Sequence, residues 1–231
     1  MLGNPSIKNC RLCDEGFCAV SVLSDSEIGI LQNNCWEAAL SKGEVIYHQG
    51  SLTSHIVYVR SGLVVEYQKG SGGRDQIVQI VKSRSYLALH SLFGDRINHY
   101  SYRALEDIRI CHIDVDAFKH LVKENGRFAY EILVSVCKDS LSSHHRFLNI
   151  NAKQTFGKVA DAMLYFSNVV YGSQRFRLSL TRSDIGALIG ISRESTTRAL
   201  NKLQHDGIIK IEGQQISILD QQQLEKISRT G

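Results

Sequence analysis

With 231 residues, 43% hydrophobic and 22% charged, the chain has room for two modest domains with real cores and lacks the composition of a disordered or fibrous protein. No apolar run approaches the ~18 residues of a membrane span, and no basic segment leads into a hydrophobic stretch and cleavage site, so neither a membrane span nor a signal peptide is expected and the protein is expected in the cytoplasm. The formal net charge of +4 permits nucleic-acid binding without demanding it, but Lys and Arg outnumber Asp and Glu between Lys153 and Lys210.

The first twenty residues, MLGNPSIKNCRLCDEGFCAV, are irregular and carry Cys10, Cys13 and Cys18 as C-x2-C-x4-C. In a cytosolic chain such cysteines are free, metal-binding or redox-active rather than disulfide-bonded. Three thiolates on a short loop can converge on one centre; with a fourth, the set could hold an iron–sulfur cluster or a four-thiolate zinc ion. The one proline is Pro5, so domain boundaries have to be read from changes of periodicity.

A helix is expected over Ser26 to Leu40 at most, with Ile28, Leu31 and Trp36 as burial candidates. From Ser41 to about Ile113 the period changes to two. Glu44–His48, Ile56–Arg60, Leu63–Lys69, Asp75–Val81 and Asp107–Ile113 read as strands punctuated by glycines, the pattern of a small antiparallel barrel or jelly roll. Cys111 falls in the last of them and, from the residues alone, reads as a small core side chain. Cys35 and Cys137 read as structural.

Asp114 to Leu121 starts a short helix, and Arg127 to about Asn151 reads as one long helix. Ile132, Val136, Ser140, Ser143, Phe147 and Ile150 recur along it at heptad-like spacing, which favours helix–helix packing against a partner; the alternative is packing on its own domain. Thr155 to Tyr171 is a further amphipathic helix with Phe156, Val159, Ala160, Met163, Leu164 and Phe166 as core. The expected organisation is a cysteine-rich segment (1–20), a β-rich domain (21–126), a long helix (127–151) and a C-terminal domain (152–231).

The run from Leu178 to Ile218 carries the clearest plan. Thr181 with Asp184 forms a capping box that starts a helix, Gly190 marks a tight turn, and Ser192 caps a second helix from Arg193 to Asp206 that Gly207 ends. Strands Ile208–Glu212 and Gln215–Ile218 follow, hinged at Gly213-Gln214. Helix, turn, helix and hairpin make a winged helix-turn-helix. Arg193, Glu194, Thr197 and Arg198 share the side of the second helix away from its apolar residues. Arg bonds guanine bidentately, Glu accepts from cytosine and Thr touches a thymine methyl. Thr181 and Ser192, at the two helix starts, complete the candidate DNA-contacting set. No nucleophile–base arrangement, phosphate-cradling loop or H-E-x-x-H is present, so no enzymatic activity is expected.

ISRESTTRALNKLQHDGII closely resembles the recognition helix and wing entry of the Crp/Fnr family of bacterial transcription factors, and GEVIYHQGSLTSHIVYVRSGLVVEY resembles that family's β-roll sensor domain. The resemblance implies an α+β chain: an N-terminal antiparallel β-roll, a long dimerisation helix and a C-terminal winged helix-turn-helix. It implies a homodimer on a palindromic double-stranded DNA site, with Glu194 and Arg198 reading a GA step in each half-site and RNA polymerase as a further partner. Arg193 looks like an extra base- or phosphate-contacting Arg of the cAMP-receptor branch, and Thr197 stands where the fumarate-nitrate-regulator branch has Ser. Cyclic-nucleotide-binding members carry Gly-Glu and a later Arg; this chain has Ala88-Leu89 and His99 there, so cyclic nucleotide binding is disfavoured. The oxygen-sensing branch holds a [4Fe-4S] cluster on three N-terminal Cys and one Cys in the β-roll, which maps the ligands onto Cys10, Cys13, Cys18 and Cys111. That branch's usual spacing is C-x2-C-x5-C, one residue longer in the last gap than here. The alternatives are a haem sensor of nitric oxide or carbon monoxide, a small organic effector in the β-roll, and, outside the regulators, a metal-thiolate enzyme or zinc protein.

Overall fold

The structure is a computed structural model and describes residues 19–70 and 75–231. The expected sites Cys10, Cys13 and Cys18 lie outside the described residues. After a short 3-10 turn at Ala19–Val22, helix α1 (Asp25–Asn33) opens on a capping box in which Ser24 and Glu27 satisfy each other's backbone N–H.

The helix expected over Ser26 to Leu40 ends at Asn33, and Cys35–Leu40 is instead strand β1. Asn34 turns its side-chain amide back onto the Ile30 carbonyl (2.9 Å) while its own carbonyl accepts from the Asp114 N–H (2.9 Å). The segment then pairs antiparallel along its whole length with β8 (Ile108–Asp114), from Cys35 opposite Ile113 to Leu40 opposite Ile108. Pairing with a strand far away in sequence outweighs the local helical pattern here. Trp36, expected to be buried, is 41% exposed.

Strands β2 (Val45–Tyr47), β3 (His55–Ser61), β4 (Val64–Lys69) and β5 (Asp75–Val81) fall where the sequence predicts them. The following segment adds β6 (Ser85–Leu87), the short α2 (Leu89–Phe93) and β7 (Ser101–Ala104). Two four-stranded sheets result, β1-β8-β3-β6 and β2-β7-β4-β5. The first is buried on both faces along its central strand β3. Val57, Val59, Ile108 and Ile110 face the roll interior with Tyr102 and Leu87, while Ile56, Tyr58, Cys111 and Ile113 face a second core with Leu31, Phe118 and Phe128. That double burial is why β3 reads as nearly continuous apolar sequence.

Helix α3 (Val115–Glu124) is capped by Asp114, which accepts from the Asp116 and Ala117 N–H groups. Helix α4 (Gly126–Ala152) is the expected long helix. The chain divides into two compact units within it: Val81–Leu141 with the described residues up to Glu66, and Ser142–Gly231 with the described part of Tyr67–Ile80. The expected heptad seam does not form one free face. Ile132 is buried in the first unit's own core with Phe128, and Val136 packs against that core. Tyr130, Leu133, Leu141 and Leu148 are each about 60% exposed, and with Cys137 they make a separate outward stripe.

In the second unit α5 (Thr155–Tyr165) runs on as a π-helical turn at Phe166–Tyr171 rather than as α-helix to Tyr171. Val159, Ala160, Met163 and Phe166 are wholly buried. Strand β9 (Arg175–Arg177), α6 (Arg182–Ile189), α7 (Arg193–His205), β10 (Ile209–Glu212), β11 (Gln215–Ile218) and α8 (Gln221–Thr230) complete the unit. Lys153 reaches both Asp161 and the buried Ser228 hydroxyl, fastening the end of α4 to α5 and α8. Among the described residues no helix is long and apolar enough to cross a membrane.

Candidate nucleic-acid interface and sensor site

Helix α6 starts on the expected capping box: Thr181 Oγ1 accepts from the Asp184 N–H (3.1 Å) and the Thr181 N–H donates to Asp184 Oδ2 (2.9 Å). It ends at Gly190, whose φ of +68° is a left-handed conformation that side chains other than glycine resist. Ser192 then caps α7 by accepting from the Ser195 N–H (3.1 Å). The closeness of the two helices depends on a residue the sequence reading missed. A Cβ on Gly186 would sit 2.6 Å from the Ile191 carbonyl oxygen and 3.1 Å from Thr196 Oγ1. Thr196 is itself wholly buried, its hydroxyl returned to the Ser192 carbonyl (3.0 Å). A mid-helix glycine two residues before the apolar pair Leu188-Ile189, with no other reason to be there, is the signal that was available.

Thr196, Ala199, Leu200 and Leu203 bury one side of α7. At about 100° per residue, Arg193, Glu194, Thr197 and Arg198 centre on the opposite side. Arg193, Glu194 and Arg198 are exposed and Thr197 is half-buried. Thr197 donates its hydroxyl to the Arg193 carbonyl (2.9 Å), which leaves its methyl as the outward group. Arg198 Nη2 donates to Ser195 Oγ (3.3 Å), and no ion pair joins it to Glu194 among the described residues. The Glu194 carboxyl is held below the usual glutamate range by its own backbone N–H at the helix start, then by Ser192 and by the Arg193 and Arg198 charges. Glu194 therefore stays an ionised acceptor, suited to a cytosine amino group.

The wing has three strands, not two. β11 pairs with β10 on one side and with β9 on the other, so Lys210, Ser217 and Arg175 form one row, and Glu212, Gln215 and Arg177 the next. The outward Arg175, Arg177 and Lys210 were not foreseen as part of the interface. Arg177 is oriented by Gln214 in the wing turn (2.9 Å), and Lys210 pairs with Glu212 (2.8 Å).

Cys111 lies on β8 between Glu37 of β1 and Tyr58 of β3. Its thiol is buried and faces the helix-side core rather than the roll interior. Val20 and Leu23 are buried members of that same core, and Ala19 packs against it. Among the described residues no three metal-ligating side chains come together.

The roll interior has its own character. Leu89, in the place of the ribose-binding Glu, is buried in the helix-side core, and Ala88 holds φ +59° at the start of α2. Tyr102 is 1% exposed and fills the interior beside the buried Glu66. Burial first, then the Glu66 charge, push the Tyr102 hydroxyl well above the usual phenol range. The histidines fall in two separate pairs: His90, which packs on Tyr100, feels the charge of His99, which bonds Asp95 (2.9 Å), while His55 and His112 meet edge-to-face at 6.1 Å against Trp36.

Residues 37–125 match the family model described as a cyclic nucleotide-binding domain, and residues 157–227 match the Crp-like helix-turn-helix domain. The chain is 24% identical over 227 residues to Electron transport regulator A of Shewanella oneidensis, covering 95% of this chain and 90% of that protein. It is also 24% identical over 228 residues to the Fumarate and nitrate reduction regulatory protein of Vibrio cholerae, again over 95% and 90%. Its fold is similar to that of FixK2 from Bradyrhizobium japonicum, with a TM-score of 0.78 at 21% identity over 85% of this chain and 98% of that one. It is similar in the same way to a regulator of the Crp/Fnr family from Eubacterium rectale, with a TM-score of 0.74 at 21% identity over 91% and 97%. With a β-roll and a winged helix-turn-helix in this order, each matched by its own domain model, the chain belongs to the Crp/Fnr family of DNA-binding transcription regulators.

Proposed function

We propose that this regulator works as a homodimer that reads a palindromic promoter site and reports oxygen or redox state through a [4Fe-4S] cluster. Cys10, Cys13, Cys18 and Cys111 would hold the cluster, and RNA polymerase is the machinery such a regulator addresses. The observation that carries the sensor reading is the position of Cys111. It is a buried thiol facing the core in which Val20 and Leu23, just after Cys18, are anchored. Thiolate is the donor chemistry such a cluster needs, and an apolar surround limits water access to it. When bound, the cluster supplies an oxygen-labile bond set; the chain's own part is to hold four thiolates from two distant segments. Relatives named Anaerobic regulatory protein, in Haemophilus influenzae and Pasteurella multocida, support the same physiology.

Dimerisation is supported by the outward stripe on α4. Tyr130, Leu133, Cys137, Leu141 and Leu148 lie within about 80° of one another round the helix and leave large apolar side chains in water. A parallel copy of the same stripe would cover them and set two recognition helices about one DNA turn apart. Arg193, Glu194, Thr197 and Arg198 would then meet base edges, with Thr181 and Ser192 at backbone-contacting helix starts and Arg175, Arg177 and Lys210 reaching flanking phosphates from the wing. Cyclic nucleotide binding is disfavoured because a buried Tyr102 and the buried acid Glu66 occupy the interior a cyclic phosphate would need.

The test is anaerobic purification with absorbance, iron and sulfide analysis, and binding to a palindrome of TTGAT- or TGTGA-like half-sites. Iron–sulfur absorption and DNA binding that are both lost in Cys111→Ala are expected. A zinc-only protein, a haem Soret band, or DNA binding indifferent to air and to that substitution would refute the sensor reading.

A further inference from the structure

A cavity of about 300 Å³ opens inside the C-terminal unit, between the last turns of α4 and helices α5 and α6. Its floor is apolar: Tyr165, Leu188 and Ile189. Its rim is polar and comes from α4: His145, Arg146 and Asn149. The volume is at the lower end of small-molecule sites, and an apolar body with a few convergent donors is their usual lining.

Arg146 decides the chemistry. Its guanidinium lies over the Tyr165 ring, 5.3 Å from the centroid. Its Nη2 is sealed from solvent and has no hydrogen-bond partner among the described residues. No carboxylate pairs with it there either. A guanidinium donor withdrawn from water and left unmatched is a vacant half of a charge-assisted hydrogen bond, and the partner it fits is a carboxylate. Arg146 lies about 170° and Asn149 about 110° round α4 from the centre of the outward apolar stripe, so a dimer built on that stripe leaves their side of the mouth open.

We propose that this cavity is an effector site for a small organic carboxylate with an aromatic or aliphatic body. The carboxylate takes the Arg146 guanidinium, drawing it out to the rim, and the body lies on Tyr165, Leu188 and Ile189. Occupancy ties α4 to the end of α6, immediately before the Gly190 turn into the recognition helix. The two are already adjacent, since a Cβ on Gly190 would lie 3.7 Å from the Ile150 side chain. A ligand bridging them acts on DNA affinity through the turn, independently of any cysteine.

The test is calorimetric titration of the full chain with benzoate and phenylacetate, their matched amides and sulfate. Both carboxylates are expected to bind at least about tenfold tighter than the amides and sulfate, the range of a lost charge-assisted bond. Arg146→Met should erase that preference, Arg146→Lys should keep part of it, and Asn149→Trp, at an exposed rim position, should block entry. Bound carboxylate should change affinity for the palindrome by about fivefold or more. Overturning results are no carboxylate binding, equal binding of amides or sulfate, binding unaffected by Arg146→Met, an acidic peptide binding in place of the small carboxylates, or DNA affinity indifferent to a bound carboxylate. Cluster-free protein serves equally, so failure here is distinguishable from failure of the oxygen-sensing reading.

Discussion

Gly186→Ala is a one-methyl change at the contact between the two helices of the DNA reader. The added Cβ would meet the Ile191 carbonyl oxygen at 2.6 Å and Thr196 Oγ1 at 3.1 Å. Overpacking a tight site costs about 1–3 kcal/mol. The nearest atom is a backbone oxygen in the turn, unable to rotate aside, and the wholly buried Thr196 hydroxyl is committed to the Ser192 carbonyl. The upper figure, about 3 kcal/mol, therefore applies. Alanine's better helix propensity returns about 1 kcal/mol, leaving a net loss of about 2 kcal/mol. For a unit of this size that lowers Tm by about 8–16 °C. The control is Gly29→Ala in α1, where a Cβ meets nothing within 4 Å and helix propensity alone raises stability by about 0.5–1 kcal/mol. Scanning calorimetry of the full chain reads Gly186→Ala in the transition of the C-terminal unit and Gly29→Ala in that of the N-terminal unit. Because the strain is relieved by moving the Ile191 turn, α7 shifts and affinity for the palindrome falls as well. A Gly186→Ala protein with an unchanged Tm and unchanged DNA affinity would refute this account of the helix contact.

Glu194→Gln and Arg198→Ala should each cost about 1–3 kcal/mol of discrimination at one base step, read as the ratio of cognate to mismatched half-site binding; an unchanged ratio would remove them from base readout. Arg177→Ala and Lys210→Ala should weaken all sequences alike and each reduce the slope of log K against log salt by about 1, whereas an altered sequence preference would mean the wing reads bases. Leu133→Asp with Leu141→Asp, both at positions about 60% exposed, should leave the fold intact by circular dichroism and yield monomer by light scattering. A stable dimer in that variant would place the interface elsewhere.

The winged helix-turn-helix was legible because its signals are local. Thr181 with Asp184, Gly190 and Ser192 each act within a few residues, and each takes the conformation its side chain favours. Strand β1 was not legible for the opposite reason. Nothing near Cys35–Leu40 demands a strand; its partner is β8, some seventy residues on, and only that pairing overrides the preceding helical pattern. The third wing strand was hidden in the same way, since three residues, Arg175–Arg177, become a strand by pairing with β11. With it went the two arginines it points outward.

Helix α4 shows the limit at a finer level. The seam read from the sequence ran through Ile132, Val136, Ser140, Ser143, Phe147 and Ile150, and the structure divides it: Phe147 is 65% exposed. Ile132 and Val136 follow that period because they pack into the first unit's own core, and Ile150 because it lies against the Gly190 turn. A second apolar period, through Tyr130, Leu133, Leu141 and Leu148, runs along the same helix about 110° away. Periodicity alone gives both stripes equal standing, because a heptad repeat reports that a face is buried and not by what. What separates them is which apolar side chains remain in water once the chain's own cores are filled. The inward stripe commits α4 to packing within the chain itself, and the outward stripe is the apolar surface that the proposed second copy would cover.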